Sequence, residues 1–128
     1  MYDDARREKM KPILDRIPDY WGKWLPEVGW DDLLLELDAK LSKLDPNYEI
    51  RQAKQKYGEL RFYAGHLGEY YEEDPSEEDQ NEFQRLIDEA ERKSTTVCEF
   101  CGKDGKRQSN GWISVLCDDH SKVDAKIK

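Results

Sequence analysis

The chain has 128 residues, a length that holds about one domain, and it carries a net charge of −8. Charged residues make up 39% against roughly 25% in an average globular chain, yet four Trp, seven Tyr and three Phe are too many aromatics for a disordered polyelectrolyte. No apolar run exceeds three residues and the first twenty carry no apolar signal segment, which excludes a membrane span and leads us to expect a soluble, cytoplasmic domain with a small core.

Met10, Ile13, Leu14 and Ile17 fall at helical spacing, which predicts a helix over about 3–17. Pro12 fits the first turn of a helix and breaks its middle. The stretch from Asp19 to Trp30 holds Tyr20, Trp21, Trp24 and Trp30 among Gly and Pro, and is too punctuated for one element. Trp30, Leu34, Leu37, Leu41 and Leu44 step by four and three, giving an amphipathic helix over about 30–44 that stops before Asp45-Pro46. Asp31 or Asp32 is expected to cap its start.

Tyr48 to Ala64 contains two alternating runs around Tyr57-Gly58-Glu59, so a β-hairpin over about 48–64 is predicted. With a turn at Gly58-Glu59, one face carries Ala53, Tyr57, Leu60, Phe62 and Ala64. The other carries Gln52, Lys54, Lys56, Arg61 and Tyr63. One is a core face; the other is basic with an aromatic. His66 to Asp74 reads as a loop. Pro75-Ser76 then opens a helix over about 76–94 whose buried stripe is Phe83, Leu86, Ile87 and Ala90.

The charge is unevenly spread. Residues 69–91 hold eleven acids and one base, Arg85, and the remaining 105 residues are close to neutral at +2. Such a run commonly forms a solvated helix face, and its sharper use is to dock a basic partner.

All three cysteines lie near the end: Cys98-x2-Cys101, fifteen residues, then Cys117-x2-His120. Two close pairs at this distance are a zinc signature. The first pair forms a tight knuckle, with Gly102 easing its backbone, and three Cys with one His supply a tetrahedral set for Zn²⁺. Lys106–Ser109 and Trp112–Leu116 read as strands joined at Asn110-Gly111, followed by a short helix carrying Cys117 and His120 at its start. This is a treble-clef-like finger over 96–128, with a zinc ribbon as the alternative, packed on an α+β body over 1–95. Four protein ligands leave no open position for water, so the zinc is expected to be structural. Asp118 and Asp119 would compete only if His120 pointed away.

No catalytic constellation assembles. With His120 committed, His66 is the only other histidine, no cysteine is left as a nucleophile, and no phosphate-loop pattern occurs. The expectation is a non-enzyme. Two binding candidates remain. The face of Gln52, Lys54, Lys56, Arg61 and Tyr63 could grip an anionic group and stack a ring. Trp21, Trp24 and Trp30 could line an aromatic pocket, against the plainer role of core packing.

Gly29-Trp30 before a Leu-rich helix, Gln52 to Tyr63 as Q-x-K-x-K-Y-G-x-L-R-F-Y, Cys98 to Gly102, and Trp112 to His120 together resemble a family of small phage, prophage and bacterial proteins of uncharacterised activity. The resemblance covers roughly residues 21–122, and departs at Ala53, where a larger aliphatic residue is expected. It implies a phage context. A first expectation is therefore a protein that captures a nucleotide-like anion, such as a host defence signal. A second is an inhibitor whose acidic segment occupies a basic host protein surface. A third is a nucleic-acid module using Lys103, Lys106 and Arg107, which the net charge of −8 argues against. A second copy of the chain is a further candidate partner.

Overall fold

The computed structural model describes residues 3–19, 22–65, 77–109 and 113–120. The fold is α+β, with two short helices, a longer helix, a β-hairpin, a second long helix, and a terminal hairpin beside a Cys/His cluster.

The predicted first helix is two pieces, α1 (Asp4–Lys9) and α2 (Lys11–Leu14), broken at Met10. The reason is Pro12: in a continuous helix it would leave the Glu8 carbonyl without a donor and press its ring against it. Instead Pro12 sits in the first turn of α2, where no N–H is needed. Asp3 caps α1 by accepting from the Arg6 backbone N–H. Met10, Ile13, Leu14 and Ile17 are all buried, as their spacing predicts.

A 3-10 turn (Val28–Trp30) leads into α3 (Asp31–Leu44). Neither aspartate caps it, because Trp30 holds the cap position without a side-chain bond. Asp31 is instead drawn inward and takes a bidentate Arg6 guanidinium, at 3.2 Å from Nε and 2.8 Å from Nη2. Arg6 also donates to the Pro26 carbonyl, so one side chain ties α1, the 22–27 stretch and α3 together. Asp38 on α3 plays a similar part. Its Oδ1 accepts from Arg16 Nε at 2.7 Å and from the Tyr48 hydroxyl at 2.6 Å. Burial, and then the Asp38 carboxylate, hold the Tyr48 phenol well above its ordinary range.

Strands β1 (Glu49–Lys56) and β2 (Glu59–Gly65) form an antiparallel hairpin, but the turn is Tyr57-Gly58 rather than Gly58-Glu59. Both residues have positive φ, 56° and 75°, as a type I′ turn requires. Tyr57 therefore leaves the predicted core face and stands exposed. The turn moves because Gly58 is buried under the terminal hairpin: a Cβ there would lie 3.0–3.2 Å from Arg107 and Ile113 side-chain atoms. The pairing shifts by two residues, an even number, so the two faces survive. Ala53, Leu60 and Phe62 are buried, while Gln52, Lys56 and Tyr63 are exposed and Lys54 and Arg61 half-buried. A bulge between Ile50 and Gln52 flips the alternation once, which lets Ile50 join Ala53 in the core. Ala53 faces Phe62 across the pair, and the ring supplies bulk where the alanine lacks it.

Helix α4 (Glu77–Ser94) packs on α3 and β2 through Phe83, Ile87 and Ala90. It also covers the outer edge of β2. The Leu60 N–H donates to Ser94 Oγ and the Phe62 N–H to Glu91 Oε2. Burial pushes the Glu91 carboxyl up. On the outer side of α4, Arg85 bridges Glu82 and Glu89 and holds the Glu82 carboxyl below its ordinary value. The predicted loop with His66, and Pro75-Ser76, lie outside the described residues. No described helix is long and apolar enough to cross a membrane.

Candidate metal centre and binding face

The backbone around Cys98 folds into a knuckle. The Gly102 N–H donates to the Cys98 carbonyl, the Cys98 N–H to Lys103 O, and Val97 bridges Asp104. Gly102 has φ 79°, the left-handed conformation that such a turn demands. Strands β3 (Lys106–Ser109) and β4 (Ile113–Leu116) follow as an antiparallel pair. Ser109 pairs with Ile113, so three residues connect the strands, one more than a two-residue Asn110-Gly111 turn allows. Those three, Trp112 among them, are outside the described residues. After β4, Cys117 precedes a helical turn, Asp118–His120. Knuckle, hairpin and ligand-bearing helix start form a treble-clef-like arrangement.

It brings all four predicted ligands together. The sulfurs of Cys98, Cys101 and Cys117 and a ring nitrogen of His120 lie within 4.8 Å of one another. Cys101 and Cys117 sulfurs are 3.6 Å apart, and His120 Nδ1 is 3.4 Å from Cys98 Sγ and 3.1 Å from Cys117 Sγ. A small tetrahedral ion with bonds of about 2.0–2.3 Å sets its donor atoms about 3.5–3.8 Å apart, so the cluster fits such an ion with little movement. Asp118 and Asp119 are exposed and outside the cluster.

The thiols are tuned unequally. Burial raises Cys98, but backbone N–H groups of Cys117, Phe100 and Cys101 outweigh it and hold the thiol below its ordinary value. The His120 N–H likewise holds Cys117 down. Cys101 goes the other way: the Lys103 N–H lowers it, but burial and its sulfur neighbours raise it more. The thiolate is the ligand form, so two of the three are already biased toward binding.

The knuckle is fastened to the rest of the chain. Gly29 N–H donates to Glu99 O at 2.6 Å, Trp30 Nε1 donates to Val97 O at 2.8 Å, and Gln55 Nε2 donates to Ile113 O and Glu99 Oε2. Glu99 is buried inside the knuckle and accepts from the Val115 N–H, clamping knuckle to β4. Glu99 and Gln55 were not singled out by sequence, and Gly29 entered only with the family resemblance, without this role. Gln55 did carry a signal, as a lone amide on the apolar face of its strand.

Gly29 is required by close approach. A Cβ there would lie 2.2 Å from the Cys98 carbonyl oxygen and 2.5 Å from Glu99 backbone atoms. Gly29→Ala is therefore expected to push the knuckle away and destabilise the protein by about 1–3 kcal/mol, with weaker metal retention against a competing chelator. Urea unfolding and a chelator titration check it; a variant indistinguishable from wild type in both would refute the packing.

Among the described residues, Trp24 and Trp30 do not form an aromatic pocket. Trp30 is fully buried in the core, Trp24 is 62% exposed, and Trp21 lies outside the described residues. Core demand outweighs ligand stacking for Trp30, since burying an indole needs a partner for its N–H and Val97 supplies one.

The basic face does assemble. Lys54 and Arg61 are cross-strand partners, as are Gln52 and Tyr63, while Lys56 faces Glu59. Of the terminal bases, Lys103 and Lys106 are exposed, and Arg107 reaches Glu59. Comparison with protein-family models, curated proteins and solved structures gives no match to this chain.

Proposed function

We propose that this chain is a non-catalytic binding protein of phage type, stabilised by a structural zinc ion, which captures an anionic, nucleotide-like ligand in the host cytoplasm. Withholding such a ligand would block a host defence component. The observation that carries the reading is the outward face of the β1–β2 hairpin, where Lys54, Lys56 and Arg61 stand together with Tyr63 and Gln52. In a chain of net −8 this is a local reversal of charge, and anion recognition is its natural use. Zinc is favoured by the donor set, since three thiolates and an imidazole suit a borderline-soft tetrahedral ion. Four protein donors complete the shell, which favours a structural role.

Native mass spectrometry of freshly purified protein, repeated after denaturation, tests both parts. One zinc per chain and a small organic mass released on denaturation are expected. Lys54→Ala or Arg61→Ala should lose that mass, whereas charge reversal at Glu77, Glu78 and Asp79 should not. The opposite pattern would favour the acidic helix as a docking surface for a basic host protein. That second reading draws on Arg85, whose charge is already absorbed by Glu82 and Glu89.

A further inference from the structure

We infer that the anion site spans both hairpins, with Arg107 as its outermost cation, and that its ligand is a nucleoside carrying a chain of phosphates. The inference rests on the binding face proposed above and gives it a direction.

The order of residues along the face is the starting point. Pairs of cross-strand neighbours succeed one another from Tyr63 with Gln52, through Arg61 with Lys54, to Glu59 with Lys56 beside the turn. Alternate residues of a strand lie about 6.8 Å apart, so this face runs about 14 Å from Tyr63 to Glu59. Arg107 lies at the turn end. Its Nη2 is 3.7 Å from Glu59 Oε2, and its side chain passes over Gly58. Arg61 Nη1 meets the other Glu59 oxygen at 3.2 Å. One carboxylate thus holds two guanidinium groups, one per oxygen, at one end of the face.

Each guanidinium has five N–H donors in a fixed fork, so contact with Glu59 leaves donors for a ligand. Both side chains stay partly open to solvent, 37% for Arg61 and 49% for Arg107. The aromatic is at the far end, where Tyr63 is 47% exposed. A ring platform followed by a row of cations matches a base followed by successive phosphates. The first phosphate would fall near Lys54 and Arg61, and the last near Arg107.

The test is calorimetric titration of wild type, Lys54→Ala and Arg107→Ala with adenosine mono-, di- and triphosphate as probes. Wild type should bind more tightly with each added phosphate. Arg107→Ala should leave the monophosphate within about twofold and weaken the triphosphate roughly tenfold or more, the loss of a charge-assisted contact. Lys54→Ala should weaken all three. If Arg107→Ala weakens monophosphate and triphosphate equally, or neither, the two-hairpin site is overturned while the hairpin face stands. If wild type binds none of the probes, or Lys54→Ala changes nothing, the face reading falls and this inference with it. A matched thermal midpoint for Arg107→Ala confirms that the comparison is between folded proteins.

Discussion

Cys98→Ser is expected to unfold the terminal finger and to lower the thermal midpoint of the whole protein by roughly 10 °C or more. Apparent binding energies of structural zinc in finger peptides are about 10–16 kcal/mol, as large as the 5–15 kcal/mol that stabilises a whole native domain. The finger has little else to hold it: among the described residues its buried side chains are Cys98, Glu99, Val115, Leu116 and Cys117. The damage should spread, because the knuckle carbonyls of Val97 and Glu99 are the partners of Trp30 and Gly29. Chelation of the wild type should have the same effect as the substitution, reversed by added zinc. Metal content by mass spectrometry, with calorimetric melting, decides it. A Cys98→Ser protein with a full metal complement and an unchanged midpoint would sink the assignment.

Trp30→Ala should be nearly as damaging, destabilising by about 3–5 kcal/mol. The indole is fully buried in the core cluster, so truncation leaves a large cavity there. It also leaves the Val97 carbonyl without its donor. Trp30→Phe separates the two effects, since it keeps an aromatic body and removes only the N–H. That variant should lose about 1–3 kcal/mol, the cost of an unpaired buried acceptor together with the smaller ring. Urea denaturation of the three proteins gives the values. If Trp30→Ala lost under about 1 kcal/mol, Trp30 would not be the joint between body and finger.

What could be read from the sequence follows the range of the forces involved. The Cys/His cluster that could hold a metal was legible because two residues between cysteines define a knuckle locally, whatever the rest of the chain does. The two faces of the hairpin were legible for a subtler reason. The turn was placed one residue late, but strand alternation has period two, so an even shift in pairing kept Lys54 and Arg61 outward and Ala53 and Phe62 inward. Tyr57 paid for the error alone, moving from expected core to exposed turn.

The failures concern contacts made across the chain. Asp31 has a sequence that suits a helix cap, yet Arg6, 25 residues earlier, draws it into a buried ion pair. No local pattern announces that. The Trp cluster left core packing and a pocket as alternatives for a similar reason, since clustering in sequence does not say which indole the core will claim. Glu99 carries no local mark of burial within the knuckle. Its burial is set by the Val115 N–H and the Gln55 amide, both brought to it only by the finished fold.

The bond from the Trp30 indole to the Val97 carbonyl joins residues 67 apart. A ribosome adding about 5–20 residues per second needs roughly 3–13 s to cover that interval. Throughout it, the nascent chain presents a tryptophan whose indole N–H lacks its native partner. That joint can close only after the knuckle has been synthesised, so translation sets the earliest moment at which it forms. Interrupted synthesis would then leave fragments in which that joint is open and the Trp30 indole N–H has no partner.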